Sequence, residues 1–166
     1  MIGNGTGKTS TTVPHFLDTN VLVYAAMERK GEEAKRVRAV DLLQAGEFGV
    51  STQVLQEFYT TVTRSSAVAL SPEKAVMWLE RFVRLPCVSN TPEHVMRSIE
   101  TARRYQISYW DAAIIVAAGE LGAAILYTED LNHGQAYGTV TAINPFLDPP
   151  AQTGFHENRQ TALTKD

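Results

Sequence analysis

Between Ala112 and Ala118 the chain reads Ala-Ala-Ile-Ile-Val-Ala-Ala, apolar on every side and built from small or compact residues. A helix here has no polar face to offer water, so it must be buried, with its neighbours at close packing distance. Other layers have to cover such a helix. Short apolar segments around Phe16-Leu17, at Phe48–Ser51, within Leu85–Val88, at Ala123–Tyr127 and at Thr139–Ile143 read as strands.

The intervening segments read as helices. Val21–Met27 starts one that Lys30-Gly31 ends, and Glu32–Gln44 sets Ala34, Val37, Val40 and Leu43 at helical spacing before Gly46 closes it. Gln53–Arg64 puts Val54, Leu55, Phe58, Tyr59 and Val62 on one stripe, with Glu57 on its flank. Ser71-Pro72-Glu73 and Thr91-Pro92-Glu93 each set a capping hydroxyl before a proline at the first helical position. Strands alternating with helices of this length predict an α/β domain, its mainly parallel sheet lying between helical layers. The 166 residues suit one domain, here residues 14–148, between a flexible tail at 1–13 and a polar tail at 149–166.

Lone Cys87 excludes an internal disulfide, and His15, His94, His133 and His156 show no zinc-ligand spacing. No apolar run approaches the roughly 20 residues that span a bilayer, and Met1–Val13 is not signal-like; the expected address is the cytoplasm, with no membrane partner. A net charge of −3 argues against coating nucleic acid by bulk charge. Two local clusters, Lys35 with Arg36 and Arg38, and Arg103 with Arg104, could meet a phosphate backbone or simply form solvated helix faces.

Four acids stand where strands hand over to helices or where helices begin: Asp18, Glu57, Asp111 and Asp130. If those turns share one edge of a parallel sheet, the acids converge where ligands of such sheets bind. Two carboxylates about 5 Å apart repel by roughly 3 kcal/mol at an effective dielectric of 20. A cluster of four therefore needs raised pKa values or bound cations, and an all-oxygen site suits Mg²⁺ or Mn²⁺. That chemistry is metal-dependent phosphodiester hydrolysis, with RNA the expected substrate. Each acid also has a bland role: Asp18 and Asp130 as caps, Asp111 in a capping box with Ser108, Glu57 as a helix-dipole partner. Asn20 and Thr128 are candidates to orient the carboxylates by hydrogen bonding, or plain turn residues.

Leu17-Asp18-Thr19-Asn20-Val21-Leu22-Val23-Tyr24, Ser51-Thr52-Gln53-Val54-Leu55-Gln56-Glu57-Phe58, Tyr109-Trp110-Asp111-Ala112-Ala113-Ile114 and Leu126-Tyr127-Thr128-Glu129-Asp130-Leu131 follow in an order and spacing that resembles a PIN domain, more narrowly a VapC-type toxin ribonuclease. The resemblance runs from about Phe16 to Phe146. It implies a three-layer α/β/α fold, endonucleolytic hydrolysis of RNA with Mg²⁺ or Mn²⁺, and Asp18, Glu57, Asp111 and Asp130 as catalytic metal ligands. Glu129 beside Asp130 is an alternative contributor. Implied partners are an RNA substrate, a VapB-like antitoxin that alone would bring DNA contact, and a second copy of the chain. Helix Pro72–Arg84 has apolar surface for such an interface or for a larger core.

Tyr109 and Trp110 could stack on an unpaired base or pack into the core, and His133 could contact a phosphate or only shape its turn. Gly3–Thr9 resembles a phosphate-binding loop, but Ile2 stands where glycine is needed and no strand can precede it. An aspartyl-phosphate phosphatase would use Asp18 as nucleophile, yet Asn20 holds the place of its second acid. A non-catalytic PIN scaffold would have no need of four mutually repelling acids.

Overall fold

A computed structural model describes residues 12–64 and 69–147. The loop-like Gly3–Thr9 segment and the polar run from Pro149 lie outside them. In chain order the elements are β1 (His15–Leu17), α1 (Thr19–Ala26), α2 (Glu33–Ala45), β2 (Phe48–Ser51), α3 (Thr52–Val62), α4 (Pro72–Phe82), β3 (Cys87–Val88), α5 (Pro92–Tyr105), α6 (Tyr109–Glu120), β4 (Ile125–Tyr127), β5 (Ala136–Tyr137) and β6 (Val140–Ile143).

The strands form one sheet in the order β3-β2-β1-β4-β6-β5, parallel except for β5 against β6. From β1 the chain steps to β2 and β3 on one side, and the later strands lie on the other. The order therefore reverses between β1 and β4, where a crevice opens at the carboxyl ends of the strands. On one face α1 packs on α2 and α3, and α3 on α4; on the other, α5 packs on α6. The fold is thus the expected three-layer α/β/α arrangement.

Local chemistry explains the helix starts. Ser71 Oγ accepts from the Lys74 N–H at 3.3 Å and Thr91 Oγ1 from the His94 N–H at 3.2 Å, and in each helix proline takes a position with no intrahelical bond to lose. Helix α2 stops at Gly46, whose φ of 83° is the left-handed turn that glycine adopts freely. Residues Ala112–Ala118 of α6 are all buried, as their composition requires.

Three expectations need correction. Val37 is 62% exposed, and the buried residue of α2 is Ala39, with Val40, Leu42 and Leu43 partly buried against the core, because the apolar residues of this helix phase poorly. Val13, assigned to the tail, is only 5% exposed and donates its N–H to the Leu121 carbonyl at 3.1 Å, so the ordered core begins earlier. The two-residue strand β5 was not anticipated; it is too short to show an alternating pattern and is set by its pairing with β6.

Gly49 marks the tightest approach in the sheet. A Cβ there would lie 2.4 Å from Leu121 Cδ1, 3.1 Å from the Pro86 carbonyl oxygen and 3.2 Å from Val13 Cγ2. The leucine tip can swing, but the Pro86 carbonyl is held by the Val50 N–H at 3.0 Å. Gly49→Ala is expected to cost about 1–3 kcal/mol of folding stability, read as a lower urea midpoint. An unchanged midpoint would mean that the β2–β3 edge yields freely.

Candidate functional site

Asp18 follows β1 directly and caps α1, its Oδ1 accepting from the Thr19 N–H at 2.6 Å. Its Oδ2 accepts from Thr128 Oγ1 at 2.6 Å and from Asn20 Nδ2 at 3.2 Å. The same Asn20 amide donates to Asp130 Oδ2 at 3.0 Å, and so spans the reversal point between β1 and β4. Thr128 is fixed in turn, its N–H bonded to the Ile143 carbonyl and its hydroxyl accepting from the Asp130 N–H. Asn20 and Thr128 thus both touch the acids that they were expected to orient.

Glu57 is placed by α3. Thr19 Oγ1 donates to its Oε2 at 3.0 Å and Gln53 Nε2 to its Oε1 at 3.0 Å. Gln53 also reaches the Trp110 carbonyl at 3.2 Å, joining α3 to the start of α6. There Ser108 caps α6, its Oγ accepting from the Asp111 N–H at 3.1 Å, and the hydroxyl donates to Asp111 Oδ2 at 2.8 Å; this is half of the expected capping box, the carboxylate taking the hydroxyl in place of the Ser108 N–H. All four acids line one cavity of about 300 Å³. They come from four separate parts of the chain, and Asp18 is the buried one.

Burial dominates the electrostatics. Removal from water pushes the Asp18 carboxyl up from 3.8 to about 7; hydrogen bonds from Thr128 and Thr19 oppose this, and the charges of Asp130 and Glu57 add to it. Glu129 also lines the cavity but is neutralised, taking a salt bridge from Lys35 at 2.5 Å and a hydrogen bond from Tyr24 OH at 2.7 Å. That pairing raises the Lys35 ammonium to about 12 through its bonds to Glu129 and Tyr24. Lys35 is therefore committed inside the domain, while Arg38 remains exposed.

Trp110 is 61% exposed at the cavity, set edge-to-face against half-buried Tyr109 with ring centroids 5.2 Å apart. Core packing is thus not the role of Trp110. Its side chain follows Ser108 at the solvent-facing start of α6, before the buried stretch begins. His133 accepts from the Asn144 N–H through Nδ1 at 3.1 Å, a turn-shaping bond. Arg29, which lines the cavity from the segment after α1, was not anticipated; nothing in its local sequence distinguishes it from Lys30.

The donor set suits a hard divalent cation. It is all oxygen, it includes a desolvated carboxylate that lacks a counter-charge, and Asn20 Oδ1 is a buried acceptor with no hydrogen-bond partner among the described residues. Yet no three acids, histidines or cysteines among the described residues converge closely enough to clasp one ion. The carboxylates are occupied by Thr, Asn, Gln and Ser donors, and holding an ion would require them to exchange some of those bonds.

The PIN domain family model matches residues 15–138, three quarters of the chain and all four acids. The chain belongs to the PIN domain family. No curated protein matches it. Among solved structures, this PIN domain is similar to VapC20 of Mycobacterium tuberculosis, a sarcin-ricin loop cleaving toxin, with a TM-score of 0.57 and 17% identity over 70% of this chain and 89% of that one. A toxin-antitoxin complex from Klebsiella pneumoniae gives 0.57 and 16% over 79% and 97%. DNA-bound VapBC from Salmonella typhimurium gives 0.55 and 18% over the same shares. At such identities the likeness is one of fold. No helix among the described residues is long and apolar enough to cross a membrane.

Proposed function

We propose that this PIN domain is a metal-dependent endoribonuclease of the VapC type, the toxin of a toxin-antitoxin pair. One observation carries the reading: Asp18, Glu57, Asp111 and Asp130, drawn from both helical layers and the sheet edge, line a single cavity at the strand-order reversal. Asp18 and Asp111 are the principal ligands of Mg²⁺ or Mn²⁺, Glu57 helps to hold or orient the ion's surroundings, and Asp130 completes the set. A divalent cation held by these acids would supply positive charge for activating a water and for offsetting charge on the phosphoryl and leaving oxygens.

The chain's own polar groups orient the acids. Asn20 keeps Asp18 and Asp130 in register with one amide, Thr128 aims the Asp18 carboxylate, and Thr19 with Gln53 fixes Glu57. Such supporting bonds hold ligands ready for their ion. Glu129 is held instead by Lys35 and Tyr24, which leaves Asp130 as the ligand from this turn.

The similar structures that carry antitoxins support a VapB-like partner, with DNA reached only through it. A homodimer would use α4, which exposes Val76 and Met77, continued by Val83 just beyond it. A second reading, a PIN scaffold that binds RNA without cutting it, is favoured by the lack of three converging ligands.

Total RNA incubated with the pure, antitoxin-free protein in Mn²⁺ is expected to yield discrete fragments that EDTA abolishes. Intact RNA that nevertheless co-elutes with the protein would establish the scaffold instead.

A further inference from the structure

We propose that Arg29 grips a phosphate of the RNA strand next to the acids, and that the strand continues past Lys30 and Arg36; the inference rests on the nuclease reading above. The cavity presents five carboxylates, of which Glu129 is paired with Lys35; among the described residues, Asp18, Glu57, Asp111 and Asp130 have no cationic partner, and Arg29 is the one cation lining the cavity. A polyanion entering such a cavity meets repulsion that bound ions offset only at the reacting phosphate. A neighbouring phosphate needs a cation of the protein's own.

Arg29 is placed and free to serve. Its guanidinium pairs with none of those five acids. Its partners are Glu32, at 3.6 Å and beyond hydrogen-bond length, and the Met27 sulfur at 3.2 Å, a weak acceptor. The side chain is one-third exposed, and a guanidinium can take phosphate oxygens in pairs.

Arg29 also lines a second groove of about 320 Å³ with Lys30, Arg36 and Val37, where Glu28 and Glu33 leave the cations in excess. Within it Arg36 bonds Glu28 at 3.1 Å, while its Nε is buried without a partner. Arg29 lines both cavities, so a strand held over the acids would leave them past this arginine toward the second groove.

The test separates binding from cleavage. A short fluorescein-labelled single-stranded RNA is titrated into the full chain in Ca²⁺ over a salt series, and steady-state cleavage is followed in Mn²⁺. Arg29→Ala is expected to weaken binding and raise KM about ten- to a hundredfold, with a smaller change in kcat. The slope of log affinity against log salt should flatten by about 0.7, one phosphate contact on a single strand. Arg29→Lys keeps the charge without the fork and should fall between. Glu32→Gln, which frees Arg29 from its loose pair, should bind as well as the parent or better; if Arg29 served only to hold this loop, Glu32→Gln would instead share the loss. Arg38→Ala, on the exposed side of α2, should behave as the parent. Cleavage by the parent with unaltered KM and salt slope in Arg29→Ala would overturn this inference alone. Neither binding nor cleavage by the parent would overturn the nuclease reading and this inference together.

Discussion

Asp18→Asn is expected to lower RNA cleavage at saturating Mn²⁺ about a thousandfold and to leave the domain folded. Asparagine caps a helix as well as aspartate, so the bond from the Thr19 N–H survives and the Thr128 hydroxyl can rotate from donor to acceptor; the Asn20 amide, which loses its bond to residue 18, keeps the one it donates to Asp130. What disappears is one full negative charge. At about 4 Å from a cation and an effective dielectric of 20 that charge is worth about 4 kcal/mol, or about three powers of ten in rate if it is felt in the transition state. The measurement is kcat on a defined fragment, with circular dichroism confirming the fold. A variant that kept a substantial share of the activity would remove Asp18 from the metal ligands.

Without divalent ions, the parent protein is expected to lose stability as the pH rises from about 4 through 7. The folded Asp18 carboxyl titrates at about 7 and the unfolded one near 3.8, because burial disfavours its charged form. Between those values the native state binds the extra proton, so stability falls with increasing pH. The contribution is fully present below the unfolded value and gone above the folded one. A rise of about three units is worth at most about 4 kcal/mol. Urea unfolding in EDTA across this range, taken as the difference between the parent and Asp18→Asn, isolates the term from the other carboxylates. Mn²⁺ should remove the decline by favouring the ionised form. A flat difference curve would mean that water reaches Asp18.

Much of this was legible in the residues. The turns after β1 and β4, the proline-led starts of α4 and α5, and the burial of α6 follow from local chemistry: caps, ring geometry and the absence of polar side chains. The acids could be picked out because each stands at an element boundary, and the parallel sheet brings such boundaries to one edge. Trp110 and Val37 could not be placed, since an apolar side chain at a helix end or on a helix whose apolar residues phase poorly carries no sign of which way it faces. Arg29 was hidden for a different reason. Its value lies in what surrounds it, five carboxylates gathered from residues 18 to 130, and no local window contains them.

Strand order also governs when the cavity can exist during synthesis. The central strand β1 is the first made, yet one of its two neighbours, β4, emerges more than a hundred residues later, followed at once by Thr128 and Asp130. A nascent chain that stops short of residue 125 has its first strand paired on one edge only, with Asp18 lacking both Thr128 and Asp130. The acid site is thus complete only once the chain through Asp130 has been made, and a product cut short before that residue lacks one.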